Sequence, residues 1–291
     1  MRYEAPESME AALELLAAES GTARVLAGGT DVLVQLRSGM LEPDLLVDVK
    51  RIRDLHRISE ESGGWRIGAA VSCALLGEHD QLRRHWPGVV EAAELIGSTQ
   101  IQDRCSMAGN LCNASPAADS VPALVAADAR VSIVGPGGRR EIPVLEVPLA
   151  PGKTCLARDE IVESIYLPPR PPHSADAYLR FIPRTEMDIA VAGAGISLSL
   201  DDRGVCTAAR VALGAVAATV LLDDAAASAL IGSRVDDEAL EKLASAASAA
   251  CRPIDDKRGT IEYRTQVAGV LARRAARIAY ERAWQQVGGS A

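Results

Sequence analysis

Two glycine-centred loops about eighty residues apart constrain this chain more than any other feature: Ala27-Gly28-Gly29-Thr30-Asp31, and Ser106-Met107-Ala108-Gly109-Asn110. The first follows Arg24-Val25-Leu26 and precedes Val32-Leu33-Val34-Gln35-Leu36, the pattern of a strand running into a helix. Backbone N–H groups at such a turn have no helical partner, and they bind anions. Glycine at 28 and 29 keeps side chains away from a bound diphosphate and reaches backbone angles that strain other residues. The loop contains no Lys or Arg, so the amides and the hydroxyl of Thr30 must do the holding. For either loop alone, a plain turn is an equally good reading. Together they suggest one phosphate-bearing ligand held from two sides. No G-x-x-x-x-G-K-[ST] run occurs, which removes the P-loop. Gly193-Ala194-Gly195 fails as a dinucleotide fingerprint, because Leu198 stands where the third glycine belongs and the flanks alternate like a strand.

A length of 291 residues with 48% hydrophobic content supports two or three compact units. The net charge of −8 argues against nucleic acid or an anionic membrane as partner, since both require a basic face. No apolar run reaches membrane-span length and the first residues lack the sectors of a secretion signal, so a cytoplasmic protein is expected. Six cysteines, at 73, 105, 112, 155, 206 and 251, are scattered without a C-x-x-C pair. Free thiols are expected, with no metal site.

The pattern predicts a small β-α-β unit first: a helix capped by Ser8 with Met9, Ala12, Leu13 and Leu16 on one face, a strand at Val25 to Ala27, a helix from Asp31 to Arg37, and a strand at Leu45 to Val49. Leu55 to Ile58 and Trp65 to Ala69 read as hairpin strands around Ser62-Gly63-Gly64. Helices are expected at Ser72 to Arg84, Pro87 to Ile96 and Asp119 to Ala127, and strands at Val131 to Val134 and Ile161 to Leu167. Pro168-Pro169-Arg170-Pro171-Pro172 suits neither a helix nor a central strand and reads as a linker. Beyond it, Ala177 to Pro183, Ala190 to Leu200 and Val205 to Leu213 suggest an antiparallel sheet with a hairpin turn at Asp201-Asp202-Arg203-Gly204. Helices follow at Asp223 to Ile231, Asp236 to Ala250 and Thr260 to Gln286.

Across essentially its whole length the chain resembles a known family, the FAD-binding medium subunit of the molybdenum hydroxylases, the group of xanthine dehydrogenase and aerobic carbon monoxide dehydrogenase. The resemblance opens with Tyr3-Glu4-Ala5-Pro6, runs through the A-G-G-T-D loop, and is strongest from Gln100-Ile101 to Asp119-Ser120-Val121-Pro122. It resumes at Tyr178-Leu179-Arg180-Phe181 with Arg184 and Met187-Asp188-Ile189-Ala190, and closes with Pro253, Asp255, Arg258, Glu262-Tyr263-Arg264 and Arg273-Arg274-Ala275. It implies an α+β fold: a two-lobed FAD-binding domain of the vanillyl-alcohol-oxidase-like (PCMH) type, then an α+β C-terminal domain with a small antiparallel sheet and helices. The expected units are residues 1–54 (first lobe, β-α-β), 55–172 (second lobe) and 173–291 (C-terminal domain).

The same resemblance implies a cofactor site. Val25, Leu26, Ala27, Gly28, Gly29, Thr30, Asp31 and Val32 would wrap the FAD diphosphate. Asp31 either accepts from a ribose or ribityl hydroxyl or caps the following helix. Ile101, Ser106, Ala108, Gly109, Asn110 and Ser115 belong to the second loop region. There the family commonly has Thr at 106 and Gly at 108, and a small residue where Cys105 stands, so a slightly crowded but competent loop is expected. Asp119 matches a ribityl-contacting carboxylate and is also placed to N-cap a helix. Ile96 and Val162 match positions that pack on the flavin ring, with plain core packing the alternative. Arg180 stands where the family generally has Lys beside the flavin; a fixed cation there would stabilise the anionic reduced ring, with surface solvation the alternative. Arg184 and Asp188 are expected to form a structural or interface pair.

No Ser/His/Asp or Cys/His constellation and no acid–base dyad emerges. The resemblance assigns the substrate chemistry to a molybdenum–pterin centre in a separate large subunit, with two [2Fe-2S] clusters in a small subunit and noncovalent FAD here. A dimer of heterotrimers is implied. The alternatives are a free-standing flavin reductase of the cell-wall precursor type and a flavin-free scaffold or assembly factor.

Overall fold

The computed structural model describes residues 1–288. In the first lobe, β1 (Arg2–Glu4), α1 (Met9–Ala18), β2 (Ala23–Leu26), α2 (Val32–Arg37) and β3 (Leu45–Asp48) form a parallel three-stranded sheet in the order β1-β3-β2, with helices as crossovers. Ser8 caps α1 by accepting the Ala11 amide at 3.1 Å, and Ala12 and Leu16 turn inward as the spacing predicts. All four residues of central β3 are buried, as both faces of a parallel strand usually are. β1 was not legible in the sequence, because three residues are too few to show alternation.

The second lobe runs through β4 (Ile58–Glu61), β5 (Gly64–Gly68), α3 (Cys73–Gly77), α4 (Asp80–His85), α5 (Pro87–Glu94), α6 (Thr99–Gln102), α7 (Met107–Cys112), α8 (Ser120–Ala126), β6 (Arg130–Gly135), β7 (Gly138–Pro143), β8 (Pro148–Ala150), β9 (Lys153–Thr154) and β10 (Ile161–Leu167). Its five-stranded antiparallel sheet has the order β4-β5-β10-β6-β7, with Ile165 of central β10 opposite Ile67 on one side and Val131 on the other. Two sequence expectations fail here. Leu55 lies in a short 3₁₀ turn, Arg53–His56, so the hairpin strand begins only at Ile58. The helix expected from Ser72 to Arg84 is two helices, because His79 Nδ1 accepts the Leu82 amide at 3.2 Å and restarts the chain as α4. Histidine is not among the usual capping residues, so the apolar spacing read straight through it.

The C-terminal part contains β11 (Ser174–Phe181), β12 (Ala192–Leu200), β13 (Cys206–Gly214), β14 (Leu221–Leu222), α9 (Asp224–Leu230), α10 (Asp237–Ala250) and α11 (Ile261–Gly288). The strands pair antiparallel in sequence order. At the β12–β13 turn, Asp201 Oδ1 accepts the amides of Arg203 and Val205, and Gly204 takes a φ of +79°. Asp223 and Asp236 cap α9 and α10 through the amides of Ala226 and Ala239, both at 3.0 Å.

Both lobes share one continuous apolar core, and β11 to α11 surround a second. The two meet where β12 packs against α8 as well as against α11. Gly195 permits that approach, since a Cβ there would lie 2.6 Å from the Pro122 carbonyl oxygen. Around the seam, Asp176 Oδ2 accepts the Val89 amide at 3.0 Å, and Arg282 donates to Glu91 and to the Asp176 carbonyl. Residues 168–171 form neither helix nor strand. None of the described helices is long and apolar enough to cross a membrane.

Candidate functional site

The first loop leaves β2 at Leu26 and enters α2 at Val32. Gly29 is buried with a φ of +80°, a left-handed conformation that strains residues other than glycine. Its carbonyl accepts the Leu33 amide at 2.9 Å, starting the helix, while the amides of Gly28, Gly29, Thr30 and Asp31 make no hydrogen bond within the described residues. Asp31 does not cap α2: its side chain makes no capping hydrogen bond, and burial pushes its carboxyl above the usual range. The capping alternative at Asp31 is therefore corrected. Val25 and Leu26 are strand residues, paired with Val47 and Asp48, and Leu26 is buried in the core.

The second loop is a helix start rather than an open turn. Ser106 caps α7, its Oγ accepting the Gly109 amide at 3.1 Å, so that amide is taken up within the turn. The Asn110 amide donates to the Ser106 carbonyl, leaving the amides of Ser106, Met107 and Ala108 without a partner among the described residues. The methyl of Ala108 lies in the apolar core and does not crowd the loop. Asn110 Oδ1 is also committed, accepting from the amide and hydroxyl of Ser120 at 3.1 and 2.7 Å. Ser115 Oγ accepts the Ala117 amide in a local turn.

The two loops touch. A Cβ on Gly28 would lie 2.0 Å from the Arg104 carbonyl oxygen and 2.9 Å from Cys105 Cα. Gly28 is therefore required by packing of loop on loop, and not only by room for a ligand. Behind them, Gln35 of α2 donates to Asn113 Oδ1 at 3.0 Å, and the Cys73 amide donates to the Cys105 carbonyl at 2.9 Å. Ile101 accepts the amides of Arg104 and Cys105 and so shapes the approach to Ser106. Two sets of unpartnered amides thus stand on adjoining turns, an arrangement suited to a diphosphate.

A third element comes from β11. Asp119 precedes α8 but makes no capping hydrogen bond, which corrects the N-cap reading; Asn110 serves that end instead. The Asp119 carboxylate faces β11, where Arg180 Nη1 donates to Oδ2 at 2.5 Å and the Tyr178 hydroxyl donates to Oδ1 at 3.3 Å. Burial pushes its carboxyl up to about 6, although the Arg180 charge and hydrogen bond and the Tyr178 hydroxyl act to lower it. Arg180 is not surface-solvated, its side chain being 6% exposed.

Residues 1–170 match the family described as the FAD binding domain in molybdopterin dehydrogenase. The chain belongs to this family. Residues 177–279 match the CO dehydrogenase flavoprotein C-terminal domain. It is 31% identical to the carbon monoxide dehydrogenase medium chain of Hydrogenophaga pseudoflava over 96% of this chain and 97% of that one. It is 30% identical to the xanthine dehydrogenase FAD-binding subunit of Escherichia coli O157:H7, covering 94% and 93% of the two chains. The solved carbon monoxide dehydrogenase from Hydrogenophaga pseudoflava superposes with a TM-score of 0.93 at 32% identity, over 97% of this chain and 98% of that chain. The chain is an oxidoreductase subunit with a mixed α and β fold, as the sequence resemblance implied.

Ile96 and Val162 are 8% and 4% exposed and sit in the shared core, Val162 on β10, which packs against α7. Asp188 makes its direct ion pair with Arg258 at 3.1 Å, while the expected Arg184 stands exposed and reaches it only through its charge. Arg258 lies seventy residues away, beyond any local spacing signal. Tyr178 was missed as a site residue, although its place two residues before Arg180 on a strand puts both side chains on one face.

Proposed function

We propose that this chain is the FAD-carrying electron-transfer subunit of a heterotrimeric molybdenum hydroxylase. In this reading it takes electrons from [2Fe-2S] clusters of a small subunit and passes them to an external acceptor, while substrate is hydroxylated at a molybdenum–pterin centre in a large subunit. The contact of Gly28 with the Arg104–Cys105 backbone carries this reading, because it sets two groups of unpartnered amides side by side. A dinucleotide diphosphate fits that cradle, and glycine at 28 and 29 leaves it unobstructed. When bound, FAD supplies a centre that collects single electrons and releases pairs.

The chain's own residues then bind and orient. Gly28, Gly29, Thr30, Asp31 and Val32 take one side of the diphosphate. Ser106 and Ala108 take the other through their amides, with Gly109 and Asn110 holding that turn in shape. Asp119 and Arg180 stand toward the ribityl chain and the ring, and Ile96 and Val162 supply aliphatic packing. The units in this reading are residues 1–54, 55–172 and 173–291, supported by the separate parallel and antiparallel sheets and by the second apolar core of β11 to α11. The six unpaired cysteines favour a cytoplasmic location, and the family resemblance implies a dimer of heterotrimers.

The purified chain reconstituted with FAD is expected to hold one flavin, released intact by acid because neither loop, Ala27 to Asp31 or Ser106 to Asn110, contains a His or Cys that could attach it covalently. Absence of flavin absorbance after reconstitution overturns the proposal.

A further inference from the structure

We infer that Tyr178 is a positioning residue for the flavin: from the C-terminal sheet its hydroxyl holds the Asp119 carboxylate against Arg180, and so sets how much positive charge the pair presents to the ring. The inference rests on the FAD reading above. Asp119 belongs to the second lobe, whereas Tyr178 and Arg180 project from one face of β11, so the three groups close across the seam between the two cores. All three are buried: Tyr178 is 3% exposed, and the side chains of Arg180 and Asp119 are 6% and 10% exposed.

The neighbouring strand is built around this contact. Register places Gly193 opposite Arg180 and Gly195 opposite Tyr178. A Cβ on Gly193 would lie 2.7 Å from the Tyr178 hydroxyl, so glycine leaves the space the phenol occupies. The carboxylate is free of structural duty at the helix start, because Asn110 caps Ser120 instead.

Among the described residues, the charged and titratable groups acting on Asp119 are Arg180 and Tyr178, both from β11. Ionised Asp119 neutralises Arg180, and protonated Asp119 leaves the guanidinium uncompensated. The Tyr178 hydroxyl favours the ionised form, because a donor to a carboxylate stabilises its charge. Electron uptake places negative charge on the ring, so an uncompensated cation beside it makes reduction easier. Tyr178 therefore keeps the flavin a weaker oxidant than Arg180 alone would make it.

The test is a redox titration of the FAD-loaded complex from pH 5 to pH 8, comparing wild type, Tyr178→Phe and Asp119→Asn at saturating FAD. Tyr178→Phe is expected to raise the midpoint potential near neutral pH and to move the pH-dependent step in that potential to higher pH. Asp119→Asn is expected to raise the potential and abolish the step. In Asp119→Asn the rise should be about tenfold in the two-electron reduction equilibrium, or roughly 30 mV. A Tyr178→Phe potential–pH profile superimposable on wild type overturns the role of Tyr178 while leaving the FAD reading intact. A wild-type chain that binds no FAD overturns both.

Discussion

Gly28→Ala tests the loop contact with a single methyl group. The added Cβ would sit 2.0 Å from the Arg104 carbonyl oxygen, and ordinary contact begins at 3.4 Å, so the loops must part by about 1.4 Å. The clash is with backbone on a turn that is itself fixed: the Arg104 and Cys105 amides are bonded to Ile101, and the Cys105 carbonyl to the Cys73 amide. Relief by a rotamer change is therefore closed. A displacement of that size exceeds the roughly 0.5 Å width of good N–H···O distances, so a diphosphate cannot keep full contact with both turns. Loss of one charge-assisted hydrogen bond at about 1.5 to 3 kcal/mol weakens FAD binding roughly 10- to 150-fold. Overpacking should also lower apo-chain stability by roughly 1 to 3 kcal/mol. Both quantities are measurable, the first by fluorescence titration of FAD and the second by urea denaturation. Gly137→Ala serves as the control, since nothing lies within 4 Å of its Cβ position. Wild-type FAD affinity and stability in Gly28→Ala would refute the reasoning.

Other outcomes follow from the same geometry. The Asp119 carboxyl is held at about 6, above its unfolded value of 3.8, so its contribution to stability is greatest below pH 4 and is lost as pH rises through 6. The stability of wild type relative to Asp119→Asn should accordingly improve as pH falls from 7 to about 4, by no more than about 3 kcal/mol; a difference that moves the other way in denaturation curves would contradict the assignment. Arg264 is 4% exposed and donates to the Val191 carbonyl at 2.9 Å and Asp256 Oδ1 at 2.6 Å. Arg264→Leu should cost roughly 2 to 3 kcal/mol in urea unfolding, since it strands a buried acceptor, and a cost below about 0.5 kcal/mol would be inconsistent with that pairing. Gly29→Val should abolish FAD binding in equilibrium dialysis because of its φ of +80°, and retained binding would remove this loop from the site.

Much of this fold could be read from residue type because the signals are local. Ser8, Asp223 and Asp236 sit where short polar side chains cap helices, and the Asp201–Gly204 turn follows from Asp and Gly chemistry. The loops announced themselves through glycine, yet the reason for Gly28 did not: its constraint is a carbonyl 76 positions further on, and only folding brings them together. The same holds for Asp119, whose helix-capping appearance in the sequence gives way to a partnership with β11, and for Asp188, whose partner is Arg258 and not its neighbour Arg184. Local rules describe what a residue can do. Long-range packing chooses among those options, and at this site it assigned Asn110 to the cap and released the Asp119 carboxylate.

The most direct test of the central claim is a crystal structure of the chain with FAD bound. Diphosphate oxygens are expected at hydrogen-bond distance, roughly 2.7 to 3.2 Å, from amides of the Gly28 to Asp31 turn and of the Ser106 to Ala108 turn at once. A diphosphate held by one turn alone, or seated elsewhere on the molecule, would contradict the account.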